Sequence, residues 1–459
     1  MNLRYELAVA VGKSAYFVLR SFFHRGTALP GKIALKIDPE FLTRYRDKYD
    51  TVLITGTNGK TLTTALAVKI LQTKYPVLTN PSGSNMKQGI ATMFLMPVKH
   101  LHKGQKALAV IETDEANVAF VAKWLQAKYI VMTNLFRDQM DRYGEITTTY
   151  RKIMRGIMLR MPNIRVIANG DDPVFALLRA KLEKVGPTDV SYFGFALGKS
   201  GDEVQADPNS DALICPACKE NVLSYHYTSY HGLGWYYCQQ CGLERPKLTY
   251  AVTSLGQASP ISVEFKVDGL PVKLHVGGEY NIYNALAAYS LARKLGITAQ
   301  KATAVLSAAD EQVFGRQEVV QIGDKAVTLI LVKNPVGLDQ VIKMIETDRG
   351  TYGLAVLLNA NYADGIDTSW IWDGNFESLN FQQIPYVLAG GERWRDIAFR
   401  LKVAGAESTH FEQAAGLAKV VAKIKTASVK RFYVLATYTA MLGLRSYLAK
   451  HNVKVEEMG

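Results

Sequence analysis

Thr51-Val-Leu-Ile-Thr-Gly56-Thr-Asn-Gly59-Lys60-Thr61 is the stretch on which the fold turns. A β-branched, apolar run reads as a strand over Thr51–Thr55, two glycines as a tight turn, and Thr61 onward as a helix reaching Lys74. A strand feeding a helix through such a loop suits anions. Gly56 and Gly59, with Thr57 and Asn58 between them, let backbone N–H groups close around phosphate. The helix N-terminus adds its dipole, Lys60 reaches the outer phosphates, and the Thr61 hydroxyl can ligate Mg²⁺. The commoner phosphate loop has glycine where this chain has Ile54, so the loop is a shorter variant.

Around this stretch the same alternation recurs. Ala107–Ile111, Tyr129–Thr133 and Ile164–Ala168 are further β-rich runs, which predicts a parallel, doubly wound α/β sheet. Residues 201–247 break the rhythm and carry all four cysteines, as an inserted module would. A helix over Tyr280–Leu295 resumes the domain. A second alternation follows, with strands at Ala326–Val332, Gly353–Leu358, Tyr386–Ala389 and Phe432–Leu435 and helices at Gly391–Val403, Phe411–Lys425 and Thr439–His451. These patterns divide the chain into a basic helical segment (1–49), an ATP-binding domain (50–315) with an insertion at about 210–247, and a C-terminal α/β domain (316–459).

Composition agrees with that division. The chain has 459 residues, too many for one ordinary core. A hydrophobic content of 48% with 10% aromatics excludes wholesale disorder. Against 41 Asp and Glu stand 54 Lys and Arg, a net charge of +13 that suits an anionic partner: a nucleotide, a nucleic acid or an acidic headgroup. No run of uncharged apolar residues is long enough to span a bilayer. Within residues 1–23 the longest uncharged run, Leu7–Gly12, is short for a signal-peptide core, so a cytoplasmic location is expected, or a peripheral one at the inner face of the membrane. The N-terminal helix either packs on the next domain or rests on anionic lipid.

The cysteines fall in two knuckles, Cys215-Pro-Ala-Cys218 and Cys238-Gln-Gln-Cys241, with 19 residues between. Four thiolates at this spacing close a tetrahedral Zn²⁺ site with no position left for water, a structural zinc ribbon rather than a catalytic centre. Tyr225, His226, Tyr227, Tyr230, His231, Trp235, Tyr236 and Tyr237 crowd the intervening hairpin. They form either a small aromatic core or a platform for bases or a partner.

Glu112, in Val110-Ile-Glu112-Thr-Asp114-Glu115, stands at a strand tip beside the phosphate loop, where it can hold Mg²⁺ or serve as a solvated acid. Further on, Ala363-Asp364-Gly-Ile-Asp367-Thr-Ser-Trp-Ile-Trp-Asp373 follows an apolar strand with no local His or Cys. Its acids bind something, cap helices, or complete a site whose other members lie on another chain.

Gly56-Thr-Asn-Gly-Lys-Thr61 resembles the phosphate loop of the Mur ligases and the related folylpolyglutamate synthases. Thr133-Asn134-Leu-Phe-Arg137-Asp138-Gln139, Asn169-Gly-Asp171-Asp172-Pro173, Asn281-Ile-Tyr-Asn284 and Gly315-Arg316 resemble other segments of that family in order and spacing. The resemblance implies adenine contacts on the helix of Asn281 and Asn284, and a phosphate contact by Arg316. Two positions depart from it. Gln139 stands where most relatives have a metal-binding His, and Ile330-Leu-Val-Lys333-Asn334-Pro335 lacks the Asp and His of the corresponding segment. From the early position of the phosphate loop, the acceptor is expected to lack the UDP handle that nucleotide-linked relatives hold with an N-terminal domain.

From about residue 25 to 445 the chain is similar to the MurT family, through Arg25-Gly-Thr-Ala-Leu-Pro-Gly31, the ribbon, Lys333-Asn-Pro-Val-Gly337 and the Ala363–Asp373 motif. That resemblance implies the ligase subunit of a lipid II isoglutaminyl synthase, partnered by a GatD-type glutaminase in a heterodimer. ATP and Mg²⁺ would activate the α-carboxylate of D-glutamate in the lipid II stem peptide, and glutamine-derived ammonia would convert it to D-isoglutamine. Asp367 would complete a Cys-His-Asp triad with Cys and His of the partner. The alternatives are a self-sufficient Mur- or folylpolyglutamate-type amino-acid ligase, or a nucleic-acid-binding ATPase; no nucleic-acid partner is expected.

Overall fold

A computed structural model describes residues 3–23, 28–80, 84–96, 107–137, 146–198, 204, 214–309, 317–406, 410–451 and 453. Arg316, Arg25 and the segment with Asp138 and Gln139 lie outside the described residues.

Strands β1 (Tyr49–Thr55), β2 (Val77–Thr79), β3 (Ala107–Glu112), β4 (Tyr129–Met132), β5 (Arg165–Asn169) and β6 (Asp189–Phe195) belong to one sheet. After the cysteine module, β7 (Ser224–Thr228) with β8 (Gly234–Tyr237), the chain returns as β9 (Tyr250–Ser259), β10 (Ser262–Val267) and β11 (Leu270–Leu274). The order is β11-β10-β9-β6-β5-β4-β1-β3-β2, parallel from β2 to β9. The wholly parallel sheet expected from the alternation is thus corrected at one edge, where β9–β11 run antiparallel. Tight turns such as Asp268-Gly269 reverse the chain there instead of crossover helices.

Strand β1 explains its own composition. Val52 and Ile54 point into a core built with Leu66 and Leu286, while Leu53 points into the opposite core with Phe41 and Phe94. Both faces are covered, so the strand reads as a continuous apolar run. Its neighbours are β3 and β4. The strand order therefore reverses beside β1, and its C-terminal end opens where such sheets bind ligands.

The C-terminal unit is a second sheet: β12 (Glu318–Ile322), β13 (Lys325–Leu331), β14 (Gly353–Leu357), β15 (Tyr386–Gly390), β16 (His410–Gln413) and β17 (Arg431–Ala436). Its order is β12-β13-β17-β14-β15-β16, with only β12 antiparallel. Two expectations are corrected here. The helix expected over Phe411–Lys425 is an edge strand followed by the helix Leu417–Thr426, because β16 pairs with β15 and Gly416 (φ +83°) breaks the chain before the helix. The helix expected from Gly391 begins at Trp394, after Gly391 turns through φ +91°.

The N-terminal helix Leu3–Phe23 packs on the helices Leu29–Ile37 and Lys87–Leu95. Tyr5 stacks on Phe41 at 5.9 Å, and Gly12 allows the close approach of Leu95. Leu3, Leu7, Val11, Phe17 and Val18 remain exposed on the outer face. No helix among the described residues is long and apolar enough to cross a membrane.

Candidate active site

Gly56 and Gly59 adopt φ +134° and +84°. A Cβ on Gly56 would lie 2.2 Å from Thr133 Oγ1, and one on Gly59 1.8 Å from Asn284 Oδ1. Both positions therefore require glycine for backbone angle and for space. Thr57 N donates to Asn134 O and Asn58 N to Asn134 Oδ1, each at 2.9 Å. This narrows the sequence expectation: two loop N–H groups are committed to Asn134, and anion binding falls to the start of the helix Lys60–Gln72. Thr61 sits half-buried in the first turn of that helix.

Lys60 is buried and folds back on its own loop, donating to Gly56 O at 2.5 Å and to Glu115 Oε1 at 2.8 Å. Burial disfavours its charge, but the carboxylate of Glu115, backed by Asp114 and Glu112, raises its pKa overall. Glu115 is the residue sequence reasoning missed: it stands in the quoted motif, but only the fold shows that it meets the lysine. Glu112 is also buried, its backbone N–H bound by Asn80 Oδ1 at 2.9 Å and its Oε1 by Asn85 Nδ2 at 3.1 Å. It is thus an ordered acid beside the loop, not a solvated strand end.

Asn281 and Asn284 are buried in the first turns of the helix Tyr280–Lys294. Asn284 Nδ2 donates to Asn281 Oδ1 at 3.0 Å, and its amide lies against Gly59. The second sheet reaches the same place. Asn334 caps the helix Pro335–Glu346 by accepting from Gly337 N at 2.8 Å, and its Nδ2 donates to Asn58 Oδ1 at 3.1 Å. Asn58, Gly59, Asn134, Tyr280, Asn284, Gly337 and Tyr230 of the cysteine hairpin line one narrow cleft.

The four cysteine sulfurs lie within 4.8 Å of one another. Cys215 to Cys241 is 3.6 Å and Cys218 to Cys238 is 3.8 Å. Four sulfurs about 2.3 Å from a tetrahedral metal are separated by about 3.8 Å, so the donor set fits zinc. Backbone N–H groups of Glu220 and Asn221 draw the Cys218 thiol down to about 7. The module is tied to the domain of the large sheet at Asp171, which lies just after β5 and accepts from Arg245 Nη1 at 2.7 Å, and at Glu279, which precedes the helix Tyr280–Lys294 and accepts from Tyr227 Oη at 2.9 Å.

The three C-terminal acids separate into different roles. Asp364 is buried and accepts from Thr439 N (2.7 Å) and Asn361 N (3.1 Å), pinning its loop to the helix Tyr438–Lys450. Asp373 is exposed at the end of a 3₁₀ turn. Asp367 is exposed but held, accepting from Ser369 N at 2.8 Å and Ser369 Oγ at 2.9 Å. Those two bonds keep its carboxyl below the usual range. Tyr362, Ile366 and Trp372 of the same segment are also exposed.

Comparison with known proteins supplies the family. Residues 54–226 match the Mur ligase middle domain, and 331–441 match the MurT ligase C-terminal domain. The chain is 45% identical to the MurT subunit of the glutamine-hydrolysing lipid II isoglutaminyl synthase of Streptococcus pneumoniae, over the full length of both. It is 33% identical to the MurT subunit of Staphylococcus aureus, covering 88% of this chain and 89% of that one. In fold it is similar to a pseudomurein peptide ligase of Methanothermus fervidus (TM-score 0.64, 20% identity, 90% and 81% of the two chains). A folylpolyglutamate synthase of Mycobacterium tuberculosis also shares the fold (TM-score 0.59, 13% identity, 97% and 100%). The chain belongs to the MurT family, the Mur ligase-type subunits of glutamine-hydrolysing lipid II isoglutaminyl synthases, a family of ligases of peptidoglycan synthesis that uses ATP and Mg²⁺.

Proposed function

We propose that this chain activates the α-carboxylate of D-glutamate in the stem peptide of lipid II with ATP, and that ammonia from a GatD-type glutaminase converts the acyl phosphate to D-isoglutamine. The carboxylate oxygen attacks the γ-phosphorus, the bond to the β-γ bridging oxygen breaks, and ADP leaves. Ammonia then attacks the acyl carbon, phosphate leaves, and a proton is lost from nitrogen. Lys60 and the N-terminus of its helix offset charge on the transferring phosphoryl group, for which Lys60 must turn from Glu115 towards phosphate. Thr61 and Glu112 would hold Mg²⁺, which when bound neutralises phosphate charge. Asn281, Asn284 and Arg316 would contact the nucleotide. Zinc on Cys215, Cys218, Cys238 and Cys241 would be structural.

Asp367 carries this reading. Its carboxylate is ionised, fixed by Ser369 and turned outward in a segment with exposed apolar side chains, as a triad acid awaiting a partner's His would be. All four cysteines of the chain are gathered in one cluster that fits zinc, so this reading takes the cysteine nucleophile from a second protein. The exposed apolar face of the N-terminal helix, with Arg4, Lys13 and Arg20 on the same helix, would rest on the membrane that carries the substrate. Incubation with the glutaminase, ATP, glutamine and lipid II, followed by mass analysis, tests the reading. The expected product is the carboxyl-to-amide change on glutamate; an unchanged stem peptide, or one extended by an amino acid, would overturn it.

A further inference from the structure

The turn Tyr230-His231-Gly232-Leu233 at the tip of the cysteine hairpin is unusual in conformation and in what it touches. Leu233 N donates to Tyr230 O at 2.9 Å, and both central residues have positive φ, +44° at His231 and +78° at Gly232. Glycine takes such angles freely, whereas histidine adopts them uncommonly. His231 is nonetheless only 6% exposed, and its Nε2 lies 3.0 Å from Asp339 Oδ2 in the first turns of the helix Pro335–Glu346. Asp339 is equally buried, and its Oδ1 accepts from Asn375 N at 2.7 Å. A side chain of the inserted module is thereby bonded inside the C-terminal unit, across 108 residues of sequence.

Three other contacts give that bond a consequence. The hairpin is fixed to the domain of the large sheet: Tyr227 Oη and Ser229 Oγ donate to Glu279, at the start of the helix Tyr280–Lys294, and Gly234 N donates to Asp171 O at 2.9 Å. The helix that His231 grips begins at Asn334, whose amide bonds Asn58 of the phosphate loop. Tyr230, beside His231, lines the cleft together with Gly59, Asn284 and Gly337. The hairpin is therefore a strut that fixes the 335–346 helix relative to the phosphate loop and presents Tyr230 to the space between them.

We propose that His231 and Asp339 are positioning residues for ATP, holding the C-terminal unit closed on the phosphate loop, and that the cysteine module exists to carry this contact. The inference rests on reading the loop as the ATP site. The apparent dissociation constant for nucleotide rises in inverse proportion to the fraction of molecules that remains closed. The bond joins two side chains outside the phosphate loop, so its removal should act on affinity more than on turnover.

The test uses the full-length, zinc-loaded chain with its glutaminase partner, comparing the parent with His231→Ala, Asp339→Ala and the double variant. His231→Ala should raise the ATP dissociation constant, and KM for ATP with ammonium chloride as nitrogen source, by about fivefold or more, the effect of losing one buried hydrogen bond to a carboxylate. Its kcat and zinc content should stay near those of the parent, while the melting temperature falls with loss of the buried partner of Asp339. The double variant should bind ATP no more weakly than the weaker single variant. His231→Ala binding ATP as tightly as the parent, or the two effects multiplying in the double, would overturn the proposal. Should Asp339→Ala fail to fold, His231→Ala alone decides. A parent that binds no ATP would overturn the reading of the loop, and this inference with it.

Discussion

Asn334 Nδ2 donates to Asn58 Oδ1 at 3.1 Å, joining the cap of a C-terminal helix to the middle of the phosphate loop. The Asn334 side chain serves twice, since its Oδ1 also accepts from Gly337 N. Asn334→Ala should remove both interactions. Loss of the cap alone costs about 1 kcal/mol, and denaturant unfolding would register it. KM for ATP should rise as well, because the loop loses its tie to the second sheet.

Lys60 and Glu115 form a buried pair, with side chains 10% and 7% exposed. Lys60→Ala should stop amidation from glutamine and from ammonium alike. Glu115→Ala leaves a buried ammonium without its counter-charge and should destabilise the chain by about 3 kcal/mol, measured by urea titration. The pKa of Lys60 is raised in the folded state, so its contribution to stability is complete below its unfolded pKa. It should be lost only as pH rises through the raised value, at the alkaline end of a pH-stability curve.

Arg400 is nearly fully buried and holds the segment after Asp367. Its Nε donates to Ile371 O at 2.9 Å, its Nη2 to Gly374 O at 2.7 Å, and its guanidinium meets Glu377. Arg400→Met should take the guanidinium donors from Ile371 O and Gly374 O, the latter keeping only Phe376 N, and cost about 2 kcal/mol or more. The same variant should lower glutamine-dependent activity more than ammonium-dependent activity, since it loosens the loop that presents Asp367.

Metal analysis should find zinc stoichiometric with the chain. Cys215→Ser should reduce zinc content and lower the melting temperature, because the small aromatic core around Tyr225 and Tyr236 is organised by the knuckles. A stable parent that binds no zinc would contradict the structural role.

The pKa of Asp367 is lowered by Ser369, so the carboxylate stays charged throughout the neutral and mildly acidic range. It should lose its charge only as pH falls below the ordinary carboxylate value. A fall in glutaminase activity between pH 7 and about 5 should therefore persist in Ser369→Ala, in a pH-rate comparison with the parent.

Local chemistry explains which features were legible before the fold was known. Strand β1 and its glycine turn announced themselves because burial on both faces demands an unbroken apolar run. The cysteine knuckles did so because thiolate spacing is a local property. Strand β16 did not: Phe411 and Glu412 are extended because β15 lies beside them, a pairing no local pattern encodes. Asp364 and Asp367 look alike in one short motif, yet Thr439, a long way along the chain, buries the first as a pin and leaves the second facing outward. Glu115 and His231 stand in segments that the sequence singles out, but their roles are not local, since each acquires its role from a distant partner, Lys60 or Asp339.

The most direct test of the central claim is the nitrogen source used by Asp367→Asn in complex with the glutaminase. Amidation of lipid II from glutamine, and glutamine hydrolysis itself, should fall to background, while amidation driven by ammonium chloride continues near the parental rate. Full glutaminase activity in that variant, or equal loss with both nitrogen sources, would contradict the account.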